Sequence, residues 1–437
     1  MVRLEIKKKG INGEGIAFYR RKPVFIEGCL KDEIVECEPE DQGSFYRAKL
    51  KKILKKSPHR IRSECPFEHL CGACALMCVD YEEQLNIKKE LLEGALYKYA
   101  GYSRKIEGTI SSPEVLHYRN KCNLPVFEHD GRLVNALYRP GTNHPVLIDD
   151  CLIHDEGVEK IRKQILRVMN DHHLQAYRHK EKSGIRQLIV RGINEEYQAV
   201  IITGKDNIPE EVIDDLKKIE GLCSIFQGIN TKKNPVNMMP EKLKKLYGKD
   251  RIAMKIGGYE LFLSPQAFFQ LNHLQAERIY QDVNSLVPEN CGKAVEAYCG
   301  IGAISLFLGN KAKEVWGIEL EEKAVNDAKE NAKQNGFDNL HFICDDAPEA
   351  LRKITKKEKI DVLVVDPPRT GLDERLLETL LKTRIGTVIY ISCNPATLGK
   401  DLAVLMKKYS VELVRAYDMF PQTAHVESVA LLKRSRS

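Results

Sequence analysis

The sequence predicts an α/β protein in three parts, with a parallel-sheet domain at its C-terminal end. Three observations carry this. From about residue 293, apolar strand-like runs alternate with helical patterns, the signature of βαβ units. Residues 1–56 alternate apolar and polar side chains between glycine turns, which predicts a small β-barrel. Residues 57–262 carry a cysteine cluster and a mixture of strand and helix patterns, an α+β region, which leaves 263–437 to the parallel-sheet domain. A chain of 437 residues exceeds one ordinary core, so several domains are expected.

In the first part, Val24-Phe25-Ile26, Ile34-Val35-Glu36-Cys37 and Phe45-Tyr46-Arg47-Ala48 read as short strands, with Gly10, Gly13, Gly15, Gly28 and Gly43 between them. Residues 1–62 hold 16 Lys and Arg against 9 Asp and Glu, so the chain's net charge of +6 is concentrated here. A basic barrel suits single-stranded nucleic acid; a solvated basic face is the plain structural alternative.

In the central part, a helix pattern runs from Tyr81 to Tyr99, with further helices at 157–170 and 209–219. Gln187–Arg191 and Gln198–Ile202 read as strands. The composition, 43% hydrophobic and 30% charged without low-complexity tracts, is that of a soluble globular protein. No charged-then-apolar leader and no long uncharged apolar run are visible, which predicts a cytoplasmic protein without membrane contact. Thirteen cysteines in such a chain are expected to be reduced, so clustered ones point to a metal site or catalysis. No obligate protein partner is evident in any pattern.

The last part has strand-like runs at Lys293–Tyr298, Glu314–Glu319, Leu340–Cys344, Ile360–Asp366 and Thr387–Ser392. Their alternation with helices predicts a Rossmann-like sheet that binds ligands at the strands' C-terminal ends. The first run leads into Tyr298-Cys299-Gly300-Ile301-Gly302, a tight glycine turn without the third glycine of the dinucleotide fingerprint. Glu319 ends the second run, 17 residues after Gly302, where a carboxylate can accept ribose hydroxyls. Asp345 and Asp346 end the third run. These acids alone fit a nicotinamide enzyme, or simple helix caps, equally.

The fourth run decides the class. Asp366-Pro367-Pro368-Arg369 sets a carboxylate and a rigid turn at the strand tip, since two prolines cannot continue a central strand. This form is common in methyltransferases acting on nucleobases. The fifth run ends Ser392-Cys393-Asn394-Pro395, with a helix expected from about Ala396. A cysteine at such an edge, before a helix, meets the conditions that lower a thiol pKa. The alternative is a buried strand-end cysteine. The late segment Tyr417–Leu432 reads as a hairpin of sheet strands that carries His425 and Glu427.

Together, Ser264-Pro265-Gln266-Ala267-Phe268-Phe269-Gln270-Leu271-Asn272, Asp366-Pro367-Pro368-Arg369, Ser392-Cys393-Asn394-Pro395 and Asp418-Met419-Phe420-Pro421…His425-Val426-Glu427 closely resemble the RNA uracil-5 methyltransferase family. The resemblance covers nearly the whole chain. It implies a class I methyltransferase domain that uses S-adenosylmethionine, with cofactor contacts at Gln270, Tyr298, Glu319 and Asp366. It implies Cys393 as the nucleophile that adds to uracil C6, and Glu427, in preference to His425, as the base that removes the C5 proton. Phe268 would pack against an extruded base, and Arg369 would contact RNA or the active site. Residues 1–56 are similar to the TRAM barrel of this family. That barrel and the cysteine cluster point to the ribosomal-RNA branch acting on 23S RNA, with transfer RNA as the alternative substrate.

The cluster reads Cys65-x5-Cys71-x2-Cys74, with a distant Cys151. The spacing fits zinc or an iron–sulfur cluster without choosing between them. The resemblance implies a [4Fe-4S] cluster on Cys65, Cys71, Cys74 and Cys151, leaving Cys78 as a bystander, and Cys29, Cys37, Cys122, Cys223, Cys291, Cys299 and Cys344 as scattered core residues. The rival functions are a DNA cytosine-5 methyltransferase, whose nucleophile would follow a proline after the fourth run, and an amine methyltransferase, which needs neither Cys393 nor Glu427. A further rival is a non-catalytic iron–sulfur RNA-binding protein.

Overall fold

The structure is a computed structural model that describes residues 1–233 and 238–435. It contains two compact units, each assembled from separated stretches of chain: residues 1–113, 282–298 and 347–437 form one, and residues 114–281 and 299–346 the other. Among the described residues no helix is long and apolar enough to cross a membrane.

The first unit begins with a curled six-stranded sheet. Its strand order is Val2–Glu5, Ile34–Asp41, Tyr46–Lys55, Lys22–Ile26, Gly15–Tyr19, Lys8–Lys9. The alternating pattern buries one face, so Ile6, Ala17, Val24, Ile26, Val35 and Tyr46 form a core of their own. Arg47, Lys49, Lys51, Lys52 and Lys55 of the strand Tyr46–Lys55 are exposed, whereas Lys9 is buried and donates to Cys29 O at 2.8 Å.

The long helix Tyr81–Ala100 follows, one residue beyond the pattern-based expectation. The Asp80 side chain accepts from Glu83 N–H at its start, and Gly101 closes it in the left-handed conformation. The rest of the unit is a sheet in the order Cys291–Ala297, Val362–Val365, Thr387–Ser392, Glu427–Arg434, Tyr409–Tyr417, Thr109–Ile110. The first three strands run parallel, and Glu427–Arg434 is antiparallel to both of its neighbours. Every residue of Thr387–Ser392 is buried, which is why it reads as an unbroken apolar run.

The second unit contains a seven-stranded sheet from Lys121–His129 through Leu243–Gly248, with the helix Glu156–Asp171 packed on it. Ile161, Ile165 and Met169 of that helix meet Leu188, Val190, Ala199 and Ile201 of the sheet. The same unit holds the parallel pair Ala312–Glu319 and Leu340–Cys344, with the helices Ala303–Gly309 and Glu322–Gln334. All five strand-like runs of the C-terminal part are strands, and the alternation with helices is Rossmann-like as expected.

Candidate active site

The nucleophile candidate leaves the sheet in the company of an acid. Ser392 pairs with Ser428, so Cys393 and Glu427 are the next residues outward on two antiparallel neighbours. Asn394 caps the helix Pro395–Leu405: its side chain accepts from Ala396 N–H at 3.1 Å and donates to Arg369 O at 3.0 Å. Pro395 occupies the first helical position, where a missing N–H has no cost. Loss of such a cap costs ~1 kcal/mol. Here it would also release the Cys393 turn from the loop that carries Arg369.

Burial pushes the Cys393 thiol up to about 11, and the Glu427 and Asp366 carboxyls add to the rise while the exposed Arg369 opposes it. The low thiol pKa expected from the sequence is therefore corrected: burial first, and then the two acids, raise it. Glu427 is 4% exposed and lies well above the ordinary carboxylate range through burial, with Asp366 as the second cause. Burial lifts Asp366 to about 7. Burial, with mutual repulsion added at Cys393 and Glu427, favours the protonated form of each of the three groups.

Tyr298 and Asp366 follow paired strand ends, since Ala297 pairs with Val365 and Asp366 N–H reaches Ala297 O at 3.5 Å. Tyr298 has φ +65°, a conformation that a non-glycine residue rarely holds without a surrounding constraint. The ring of His425 lies 6.3 Å from that of Phe420, and partial desolvation, then the Arg369 and Lys88 charges, lower its pKa.

In the second unit, Glu319 ends its strand with its carboxylate fixed by three backbone donors: Gly300 at 3.0 Å, Leu320 at 2.7 Å and Glu321 at 3.0 Å. A carboxylate held this way keeps acceptor capacity on Oε2, which suits a ribose hydroxyl. Gly302, at φ +77°, turns the chain there, and a Cβ on it would press on Phe342 at 3.0 Å. Gln270 accepts from the Asn120 side chain through its backbone oxygen. The buried Arg191 donates to Ala267 O at 2.7 Å and so holds the neighbouring segment. Phe269 turns inward, and Phe268 is 73% exposed. A bare aromatic of that size has no packing role, but it offers a face on which a base can stack.

Among the cysteines, Cys65, Cys71 and Cys74 in the first unit and Cys151 in the second are half-buried. Burial raises the Cys65 thiol and pushes the Cys151 thiol up to about 11, while nearby backbone N–H groups oppose the rise. Cysteine sulfur is a ligand for zinc and for iron–sulfur clusters, so the four fit a metal-ligand role by residue type. No group of three or more His, Cys, Asp or Glu side chains is gathered as a metal centre among the described residues. Cys78 lies in an apolar cluster with Leu30, Leu76, Val79 and Ile87, consistent with a bystander. Cys344 is exposed and Cys223 half-buried, unlike the core residues they were expected to be.

Two supports of the site were not foreseen. Tyr390 is fully buried and donates to Asp401 at 2.6 Å, and Asp401 also accepts from Leu372 N–H at 2.9 Å, which ties the nucleophile's strand to the loop after Pro368. Lys88 and Gln84, on the long helix, hold the segment ahead of Glu427. In the sequence both read as solvated side chains, and only the structure places them with Ile87 and Leu92 on the buried side of the helix.

Comparison with known proteins gives a consistent picture. Residues 242–435 match the family model described as tRNA (uracil-5-)-methyltransferase. An uncharacterized RNA methyltransferase of Bacillus cereus is 39% identical over 98% of this chain and 96% of its own. One from Listeria innocua is 36% identical over 99% and 97%. Among solved structures, the Pyrococcus abyssi tRNA (uracil-54, C5)-methyltransferase in complex with S-adenosyl-L-homocysteine aligns with TM-score 0.80 at 24% identity. That alignment covers 99% of this chain and all of the other.

Proposed function

Because this chain belongs to the RNA uracil-5 methyltransferase family, we propose that it methylates carbon 5 of a uridine in 23S ribosomal RNA, with Cys393 as nucleophile and Glu427 as base. The observation that carries the reading is the facing pair Cys393 and Glu427, with Asp366 beside them. S-adenosylmethionine, when bound, supplies the methyl group. Gln270, Tyr298, Glu319 and Asp366 are the residues proposed to hold it.

Uracil C5 is a weak carbon nucleophile. The Cys393 thiol gives its proton to water, the sulfur bonds to C6, and the C5–C6 π electrons move into the enolate running from C5 to the C4 oxygen, which makes C5 nucleophilic. Once C5 carries the methyl group, Glu427 in its ionised form takes the C5 proton. The electrons of that C–H bond restore the C5–C6 double bond and expel the Cys393 thiolate. A carboxyl whose pKa is raised holds an abstracted proton better than an ordinary carboxylate does. Phe268 stacks on the extruded base, and Arg369 contacts RNA.

Residues 1–56 act as a TRAM-like RNA-binding barrel ahead of a central region at 57–262 and a catalytic domain at 263–437. Cys65, Cys71, Cys74 and Cys151 hold a [4Fe-4S] cluster, a reading supported by the half-buried, unbridged state of all four. Transfer RNA is the second reading, favoured by the matched family model.

The test uses RNA containing 5-fluorouridine, whose fluorine cannot leave as a proton. Wild-type protein with S-adenosylmethionine should form a covalent adduct on Cys393, and Cys393→Ala none. Methylation by Cys393→Ala at the wild-type rate would overturn the mechanism. Mapping 5-methyluridine in ribosomal and transfer RNA from cells with and without the protein separates the two substrates.

A further inference from the structure

The long helix Tyr81–Ala100 reaches both arms of the candidate site. On its first half, Lys88 is fully buried, forms an ion pair with the equally buried Asp418 and donates to Phe420 O at 2.9 Å. Gln84, one turn earlier, accepts from Gln422 N–H and donates to Gln422 Oε1, both at 2.9 Å. Leu76 N–H, just beyond the cysteine segment, donates to Gln422 O at 2.9 Å. Gln422 is thus gripped by backbone and side chain alike, at φ +70°, a conformation that needs outside support in a non-glycine residue. Glu427 follows five residues later as the first residue of its strand.

The second half of the helix packs on Pro395–Leu405, the helix that starts beside Cys393. A Cβ on Gly399 would meet the Tyr99 Cβ at 3.0 Å and Ala95 O at 3.1 Å, so this glycine permits the close approach.

We propose that this helix is a splint setting the spacing of Cys393 and Glu427, and that Lys88 is a positioning residue for the base. The inference rests on the roles proposed above for those two residues. A buried Lys–Asp pair is a poor device for stability alone, since well-packed apolar side chains do as well or better. What the pair adds is direction. One ammonium group fixes both the Asp418 carboxylate and the Phe420 carbonyl, and so fixes the path of the chain toward Glu427.

The experiment separates stability from positioning. Lys88→Met alone strands a buried carboxylate, whereas Lys88→Met/Asp418→Leu removes both charges. Three quantities are measured: the melting temperature, the rate of adduct formation on 5-fluorouridine RNA, and the covalent complex standing on ordinary uridine RNA with S-adenosylmethionine. The double variant should recover the melting temperature lost by the single one and form the fluorouridine adduct at the wild-type rate. It should resolve the ordinary complex on the order of 10- to 100-fold more slowly, so that the complex accumulates. Gln84→Met, which keeps the ion pair, should accumulate the complex as well. Wild-type resolution in either folded variant would overturn the splint. An adduct that survives Cys393→Ala would instead reject the underlying chemistry and leave the splint's geometry unaffected.

Discussion

Cys393 and Glu427 are the first residues beyond a shared ladder, each one step past the paired Ser392 and Ser428. Neighbouring antiparallel positions present their side chains to the same face, so a thiol and a carboxyl come together without any local sequence signal. Burial keeps both groups protonated more readily than in water.

Glu427→Gln should separate chemistry from stability. With the base gone, a covalent complex with ordinary RNA should accumulate while turnover falls roughly 10²- to 10⁴-fold. The folded protein holds the Glu427 proton above the ordinary value of 4.5, whereas the unfolded chain releases it near that value. Native stability therefore drains away as pH climbs past 4.5. Glu427→Gln has no such loss, so its melting temperature should gain on wild type as pH rises from 4.5 to 8. A constant offset across that range would reject the buried, proton-holding state.

Asp366→Asn should make Cys393 more reactive in the resting protein. The Asp366 carboxylate helps to hold the thiol near 11, and a neutral amide withdraws that contribution. Alkylation of Cys393, followed by peptide mass spectrometry across pH, should show its inflection moved to lower pH. An unmoved or higher inflection would show that Asp366 has no part in raising the thiol.

Phe268→Ala should weaken RNA binding by about 1–3 kcal/mol, the range for one base stacked on an aromatic ring. Phe268→Trp should retain it. Because the ring is 73% exposed, neither change should alter the melting temperature by more than a degree or two. Equal RNA affinity in all three proteins would remove the ring from the substrate site.

Anaerobically purified protein should contain iron and acid-labile sulfide in equal amounts, about four of each per chain. Cys65→Ser and Cys151→Ser should lose both, and Cys78→Ser neither, because Cys78 sits among apolar side chains. Zinc without iron would reject the cluster.

Much of the catalytic part was legible because its strands are buried on both faces. Thr387–Ser392 and Val362–Val365 are wholly apolar apart from their ends, and a punctuating residue marks each exit: Cys393 before a helix cap, and Asp366 before two prolines. The thiol's upward shift was not legible, because Glu427 arrives on a strand whose register is set by backbone pairing. Lys88 was equally hidden. In Ile87-Lys88-Lys89-Glu90 it reads as one more solvated lysine, and only the packing of its helix takes it out of water. The exposed Cys344 shows the converse: a sulfur at the end of an apolar run looks like core until it is seen to be the exposed last residue of its strand.

The short strand Thr109–Ile110 pairs with Ala416 and Tyr417, residues far away along the polypeptide. A sheet edge closed this way has very high contact order, and the loop-closure entropy must be overcome before the pairing gives anything back. This edge therefore closes only after the strand Tyr409–Tyr417 has been made, whereas the six-stranded sheet at Val2–Lys55 needs none of the later chain to complete its pairing.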